Sequence, residues 1–128
     1  MKVLKILTRF YVHDLDQAIK FYETICATKC LSRFPYPEIN LELAFVGDIL
    51  LICGTAEALQ PFRDTQATFL VDALPEYREY LLSHGATIIR DLKEVPTGIN
   101  MTVKHADGVI IEYVEHRNKS LATGSETK

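Results

Sequence analysis

Residues 3–22, VLKILTRFYVHDLDQAIKFY, set a strand directly before an amphipathic helix, and the same arrangement returns 59 residues later. Residues 3–12 are rich in β-branched, aromatic and aliphatic side chains, the composition of a strand. Asp14 stands where a helix needs its N-cap, and Gln17 follows at the spacing of a capping box. Leu15, Ile19, Tyr22 and Cys26 then recur at helical spacing, with Ala18 and Ile25 widening the apolar stripe. Adding 59 carries Phe10 onto Phe69, Val12 onto Val71, Leu15 onto Leu74 and Tyr22 onto Leu81. The same shift carries Ala27-Thr28 onto Ala86-Thr87 and Asp48 onto Asp107. One gap-free offset aligning strand, helix, helix exit and final turn argues for a duplicated unit, and a repeat sets the architecture.

Outward from this pair the pattern is one of short strands. Residues 31–36 look extended, but Pro35 and Pro37 suit an edge or a loop. Residues 41–46 and 49–53 flank Gly47-Asp48 as a hairpin, and residues 54–65 connect the copies, with a short helix at 56–59. In the second copy, residues 66–71 read as a strand and Pro75 pre-sets a helix whose stripe is Leu74, Tyr77, Leu81 and Leu82, stopped by Gly85. Residues 86–91, 101–104 and 109–114 supply its remaining strands. The expected fold is therefore α+β, with a βαβββ module over 1–54, a connector over 55–65, a second module over 66–116 and a disordered tail over 117–128.

Composition narrows the function classes. The chain has 128 residues, 48% hydrophobic and 24% charged, which suits one globular domain. A net charge of −3 gives no electrostatic footprint for nucleic acid. No stretch approaches a membrane span and residues 1–6 lack a signal-peptide core. The three cysteines, Cys26, Cys30 and Cys53, contain no CxxC and read as reduced thiols of a cytoplasmic protein. His13, His84, His105 and His116 each fall at an element end and read as exposed or capping residues.

Two motifs carry a family resemblance. Val12-His13-Asp14-Leu15-Asp16-Gln17-Ala18-Ile19-Lys20-Phe21-Tyr22 is similar to the strand exit V-x-D-L-D-x-(S/A)-x-x-F-Y of the vicinal oxygen chelate superfamily. Ala106-Asp107-Gly108-Val109-Ile110-Ile111-Glu112 is similar to its closing P-D-G-x-x-(I/V)-E. That superfamily includes glyoxalase I, extradiol dioxygenases, fosfomycin-resistance enzymes and bleomycin-binding proteins. The resemblance implies an eight-stranded cup-shaped mixed sheet with helices outside. It also implies four inward positions that in many members hold a divalent metal through His and Glu. Carried over one at a time, those positions fall on Leu7, Cys53, Gln66 and Glu112. Leu7 cannot ligate and Gln66 is a poor neutral ligand, so no metal and no other cofactor is expected. An atypical metal held by Glu112 with Cys53 and Gln66 is the alternative.

Strand alternation assigns faces. Arg9 and Tyr11 share the face of Leu7, with Ile6, Thr8, Phe10 and Val12 turned toward the helices. Thr68 shares the face of Gln66, with Ala67, Phe69 and Val71 turned away, and Ile110, Glu112 and Val114 face the cup. Arg9, Tyr11, Gln66, Thr68 and Glu112 are thus the expected ligand-binding residues, Arg9 toward a carboxylate or phosphate. An Arg9–Glu112 ion pair is the purely structural reading of the same residues. Phe34, Tyr36 and Phe45 are expected to fill the core between sheet and helix, or else rim the pocket, and Phe62 to close over it. Cys53, with no basic neighbour in sequence, reads as a core thiol.

The expected function is a metal-independent binder of a small organic molecule, as bleomycin-resistance proteins are. One rival is a glyoxalase- or dioxygenase-type enzyme with Glu112 as catalytic base. The other is a structural or interaction module whose cup is filled. The resemblance also implies a homodimer, with a small organic ligand as partner.

Overall fold

The computed structural model describes residues 1–117. Among the described residues, eight strands and three helices make an α+β arrangement with the βαβββ order expected twice over. The first set is β1 (Val3–Val12), α1 (Leu15–Cys26), β2 (Cys30–Tyr36), β3 (Leu41–Val46) and β4 (Ile49–Cys53). A connector carries the short helix α2 (Ala56–Leu59) and a 3-10 turn over Gln60–Phe62. The second set is β5 (Ala67–Val71), α3 (Leu74–Ser83), β6 (Thr87–Val95), β7 (Gly98–Lys104) and β8 (Ile110–His116). No helix among the described residues is long and apolar enough to cross a membrane.

The chain divides into two compact units. One is Thr8–Asp64, so it takes in most of the connector; the other is Met1–Leu7 with the chain from Thr65. Within Thr8–Asp64, β1 runs parallel to β4, β4 antiparallel to β3, and β3 antiparallel to β2. Pro35 lies in β2, which pairs only with β3 in this unit, so the missing N–H breaks no second ladder. Asp14 Oδ1 accepts the Gln17 N–H at 3.0 Å and starts α1. Ala27, in the left-handed region at φ 52°, ends it. The apolar stripe of α1 then covers one face of its sheet: Leu15, Ala44, Val46 and Leu51 form the buried cluster, with Phe10, Val12, Ala18, Ile19 and Tyr22 against it. Each fully buried Leu or Val of this kind contributes roughly 1.5–3 kcal/mol.

The second unit repeats the topology, with β5 parallel to β8, β8 antiparallel to β7, and β7 antiparallel to β6. Its cluster is Val71, Leu74, Met101, Val103, Ile111 and Tyr113, joined by Phe69, Tyr77 and Leu81. The offset of 59 therefore carries one helix-side core onto the other. Burial pushes the Tyr113 hydroxyl up to about 12.

Several boundaries and faces differ from the sequence expectations. Strand β5 starts at Ala67, leaving Gln66 just outside it, exposed, with its N–H donating to Ile110 O at 2.9 Å. β6 and β7 extend to a two-residue turn at Pro96-Thr97, because cross-strand pairing continues to Val95 and Gly98. Leu82 is 40% exposed, since Leu74, Tyr77 and Leu81 already span the buried stripe. Ile6 and Thr8 are exposed and are not covered by a helix. His116, inside β8, is 6% exposed and so buried, and His105 is half-buried with Nε2 2.7 Å from Tyr113 Oη. His13 and His84 are exposed. The tail placed at 117–128 lies outside the described residues except for Arg117, whose N–H donates to Thr97 O at 2.8 Å.

Candidate functional site

In each unit, the strand face turned away from the helix carries part of the polar set: Arg9 and Tyr11 in one, Thr68 and Glu112 in the other. In Thr8–Asp64, Arg9 pairs with Leu50 and Leu50 with Phe45, while Tyr11 pairs with Ile52 and Ile52 with Leu43. Paired residues share a face, and Phe10, Leu51 and Ala44 between them are the helix-side core. Arg9 and Tyr11 thus stand on an otherwise apolar face of Leu43, Phe45, Leu50 and Ile52. Phe34 joins it by pairing with Leu43, and its ring meets Phe45 edge-on at 5.8 Å. Phe34 and Phe45 were expected chiefly between sheet and helix; the register turns both to the opposite side.

The polar geometry on this face is closely specified. Arg9 Nε donates to Tyr11 Oη at 2.8 Å, and Tyr11 Oη donates to the Phe62 carbonyl at 2.6 Å. The guanidinium carbon of Arg9 lies 5.5 Å from the Tyr11 ring centroid and that of Arg63 lies 5.7 Å from it. Arg63 was missed in the sequence reading. No strand pattern points to it, because its place depends on the connector being fastened through Phe62.

In the second unit the corresponding face is more polar. Thr68 pairs with Glu112 and Glu112 with Thr102, and Asn100 pairs with Val114. Thr68 Oγ1 donates to Glu112 Oε1 at 3.0 Å. Arg90 donates to Asn100 Oδ1 at 2.5 Å. Thr68 and Asn100 are both buried. Asn100 and Thr102 also escaped the sequence reading, although alternation with Met101 and Val103 marks them. Leu7, in the same unit, is buried.

The two parallel pairings correct one assignment. Phe10 pairs with Leu51 as Phe69 pairs with Tyr113, and Arg9 pairs with Leu50 as Thr68 pairs with Glu112. Glu112 is therefore matched by Leu50, not by Cys53. Cys53 instead packs on the α1 side, where the Leu15 N–H acts on its thiol. Its true counterpart is Glu115, whose Oε1 accepts the Leu74 N–H at 2.9 Å. That bond caps α3, where Ala73 offers no side-chain acceptor. Burial pushes the Cys53 thiol up, which holds it protonated as a core group.

The four positions implied by the resemblance are then Leu7, Leu50, Gln66 and Glu112. These residue types include one anionic side chain, Glu112, and two leucines with no lone pair to give, so they do not match the His, Cys and carboxylate set of a transition-metal site. Among the described residues no three His, Cys, Asp or Glu side chains come together as a metal set.

No protein-family model and no curated protein matches the chain. Among solved structures, an uncharacterized protein from Methanosarcina mazei is 55% identical, with a TM-score of 0.87 over 91% of this chain and 94% of its own. A methylmalonyl-CoA epimerase from Mycobacterium tuberculosis is 20% identical, with a TM-score of 0.74 over 94% of this chain and 93% of its own. A variant of the Streptomyces coelicolor methylmalonyl-CoA epimerase, in complex with 2-nitronate-propionyl-CoA, is 15% identical with a TM-score of 0.73, over 91% and 99%. Methylmalonyl-CoA epimerase is a vicinal oxygen chelate superfamily member, and at these identities the likeness is one of fold.

Proposed function

This chain belongs to the family of the Methanosarcina mazei protein, and we propose that it binds a small organic molecule through that molecule's anionic group, without a metal ion. The observation that carries this reading is Arg9, held by Tyr11 Oη at 2.8 Å on a face of Leu43, Phe45, Leu50 and Ile52. A few polar groups oriented within an apolar lining are the general design of a small-molecule site. Guanidinium is the cation best matched to carboxylate and phosphate oxygens. Metal independence is supported by the donor set, in which Leu50 and Leu7 have no lone pair to give.

The test is calorimetric titration of short carboxylates and phosphate monoesters in the presence of EDTA. Binding is expected to be indifferent to EDTA. Arg9→Gln should weaken it about 10- to 100-fold, the worth of a charged hydrogen bond of roughly 1.5–3 kcal/mol. Binding that vanishes with EDTA and returns with a divalent ion, or that ignores Arg9→Gln, defeats the proposal.

The Thr68–Glu112 hydrogen bond of 3.0 Å favours a second reading, in which Glu112 is a general base. An oriented carboxylate can take a proton from carbon beside a carbonyl and return it, the chemistry an epimerase requires. Incubation with methylmalonyl-CoA in deuterated water should then give deuterium uptake at that carbon. Glu112→Gln should slow it by about 10²–10⁴, the usual worth of general-base catalysis. Absence of uptake by the wild-type protein disposes of this reading.

A further inference from the structure

Strand β6 carries two irregularities, and the second of them gathers cations on one face. Arg90 lies opposite Thr102 and Lys93 opposite Asn100, so Asp91 and Leu92 together stand where β7 has only Met101. In a regular strand, side chains three apart point to opposite faces. The bulge puts Arg90 and Lys93 on the same one, that of Thr102 and Asn100, away from the Met101 and Val103 side covered by α3. Asp91, the acid next to Arg90, is drawn off by Arg78 through bonds of 2.7 and 2.8 Å. Arg90, half-buried, is left with neutral oxygens: Asn100 Oδ1 at 2.5 Å, Asp91 O at 3.2 Å and Asn100 O at 3.5 Å. Among the described residues neither Arg90 nor the exposed Lys93 makes an ion pair, and Arg90 Nε donates to nothing. Asn100 is 7% exposed, its Oδ1 is taken by the guanidinium, and its Nδ2 donates to no described group. A buried amide NH2 without an acceptor is rare, and it is costly unless a ligand or water supplies one.

We infer that Arg90, Asn100 and Lys93 form an anion site on β6 and β7 that takes a phosphate group. The site goes beyond the reading above, because all three residues belong to the second unit and Arg9 is not among them. Its chemistry is that of a donor cluster: the guanidinium Nε–H, the amide NH2 and an ammonium, on one strand face. The Arg90 bond at 2.5 Å turns the Asn100 amide so that only N–H donors remain on its other side. A half-buried guanidinium with no counter-charge has lost part of its hydration, and a bound anion offsets that loss. The two oxygens of a carboxylate are saturated by one bidentate guanidinium. A phosphate group offers three oxygens and a charge of about −1.5 to −2 at pH 7, which suits three donors and two cations. Arg90 and Asn100 are the fixed part, and Lys93 adds a mobile point charge from the solvent side.

The Asn100 NH2 group is itself the probe, read by nitrogen-15 NMR of the wild-type protein at constant ionic strength and assigned by through-bond correlation. Inorganic phosphate and phenyl phosphate at millimolar concentration should each shift its two proton signals. Acetate should bind at least about 10-fold more weakly than phosphate. The tighter of the two phosphates tells whether the site serves a free ion or an ester. Lys93→Gln, at an exposed position, should weaken phosphate about 3- to 10-fold and leave thermal unfolding unchanged. Arg90→Gln should weaken it about 10-fold or more, with Arg90→Lys recovering part of the loss. The Arg9→Gln protein should keep the Asn100 shift. Asn100 signals that ignore both phosphates, or that move equally with acetate and are untouched by Lys93→Gln, overturn this inference. Neither result bears on the Arg9 reading, which is decided by the affinity of the Arg9→Gln protein.

Discussion

Replacing Gly98 by alanine is expected to cost about 3–5 kcal/mol, a third or more of the stability of a typical small domain. Gly98 opens β7 opposite His116 at φ +155°, where an added Cβ would sit 2.0 Å from the Glu115 carbonyl oxygen and 3.0 Å from His116 Cα. Both obstacles are backbone, so no side chain can rotate away. The strand that would have to move is β8, and its displacement is felt twice more. Glu115 Oε1 caps α3 through the Leu74 N–H, and Arg117 N–H bonds Thr97 O across the same turn. Gly108 provides the control. Its φ is +95° but an added Cβ would meet nothing within 4 Å, so Gly108→Ala should cost only the backbone strain, about 1 kcal/mol. Urea unfolding with an unchanged slope measures both. A Gly98→Ala protein within about 1 kcal/mol of wild type would mean that β7 and β8 do not approach as described.

Truncating the first residue of either long helix should be almost as damaging. Leu15→Ala and Leu74→Ala are each expected to lose about 2–5 kcal/mol, the usual range for emptying a buried leucine site. Leu15 is 4% exposed among Ala44, Val46 and Leu51; Leu74 is 0% exposed among Val71, Met101, Val103, Ile111 and Tyr113. The second site is lined by larger side chains held in a hairpin, so it collapses less readily and Leu74→Ala should lie toward the upper end. Ile25, on α1 but 62% exposed, should change stability by less than about 0.5 kcal/mol as alanine. Thermal and urea unfolding of the three variants check the ordering. A Leu74→Ala loss below about 1 kcal/mol would contradict the helix-side core of that unit.

Much of this was present in the chain's own order of residues. The Asp14 cap, the α1 stripe of Leu15, Ala18, Ile19 and Tyr22 (Ile25 and Cys26, also expected in it, are exposed), the Gly47-Asp48 hairpin and the separation of Phe10 and Val12 from Arg9 and Tyr11 are local consequences of helical and strand periodicity. The duplication was legible as well, because the offset of 59 holds unbroken from β1 through α1.

What tertiary structure alone decided begins where that offset breaks. The β3–β4 link is Gly47-Asp48, whereas the β7–β8 link is residues 105–109, three longer. An odd shift in a period of two exchanges the faces of a strand. For that reason Glu112 is matched by Leu50 and not by Cys53, and a position that had promised a thiol ligand holds a leucine. Arg63 was equally hidden. No repeat length or alternation locates a residue in an irregular connector; a single hydrogen bond from Tyr11 to Phe62, distant in sequence, places it. Local periodicity settled which side chains share a face, and non-local pairing settled which of them meet, because a strand's register is a property of two segments and is written in neither one alone.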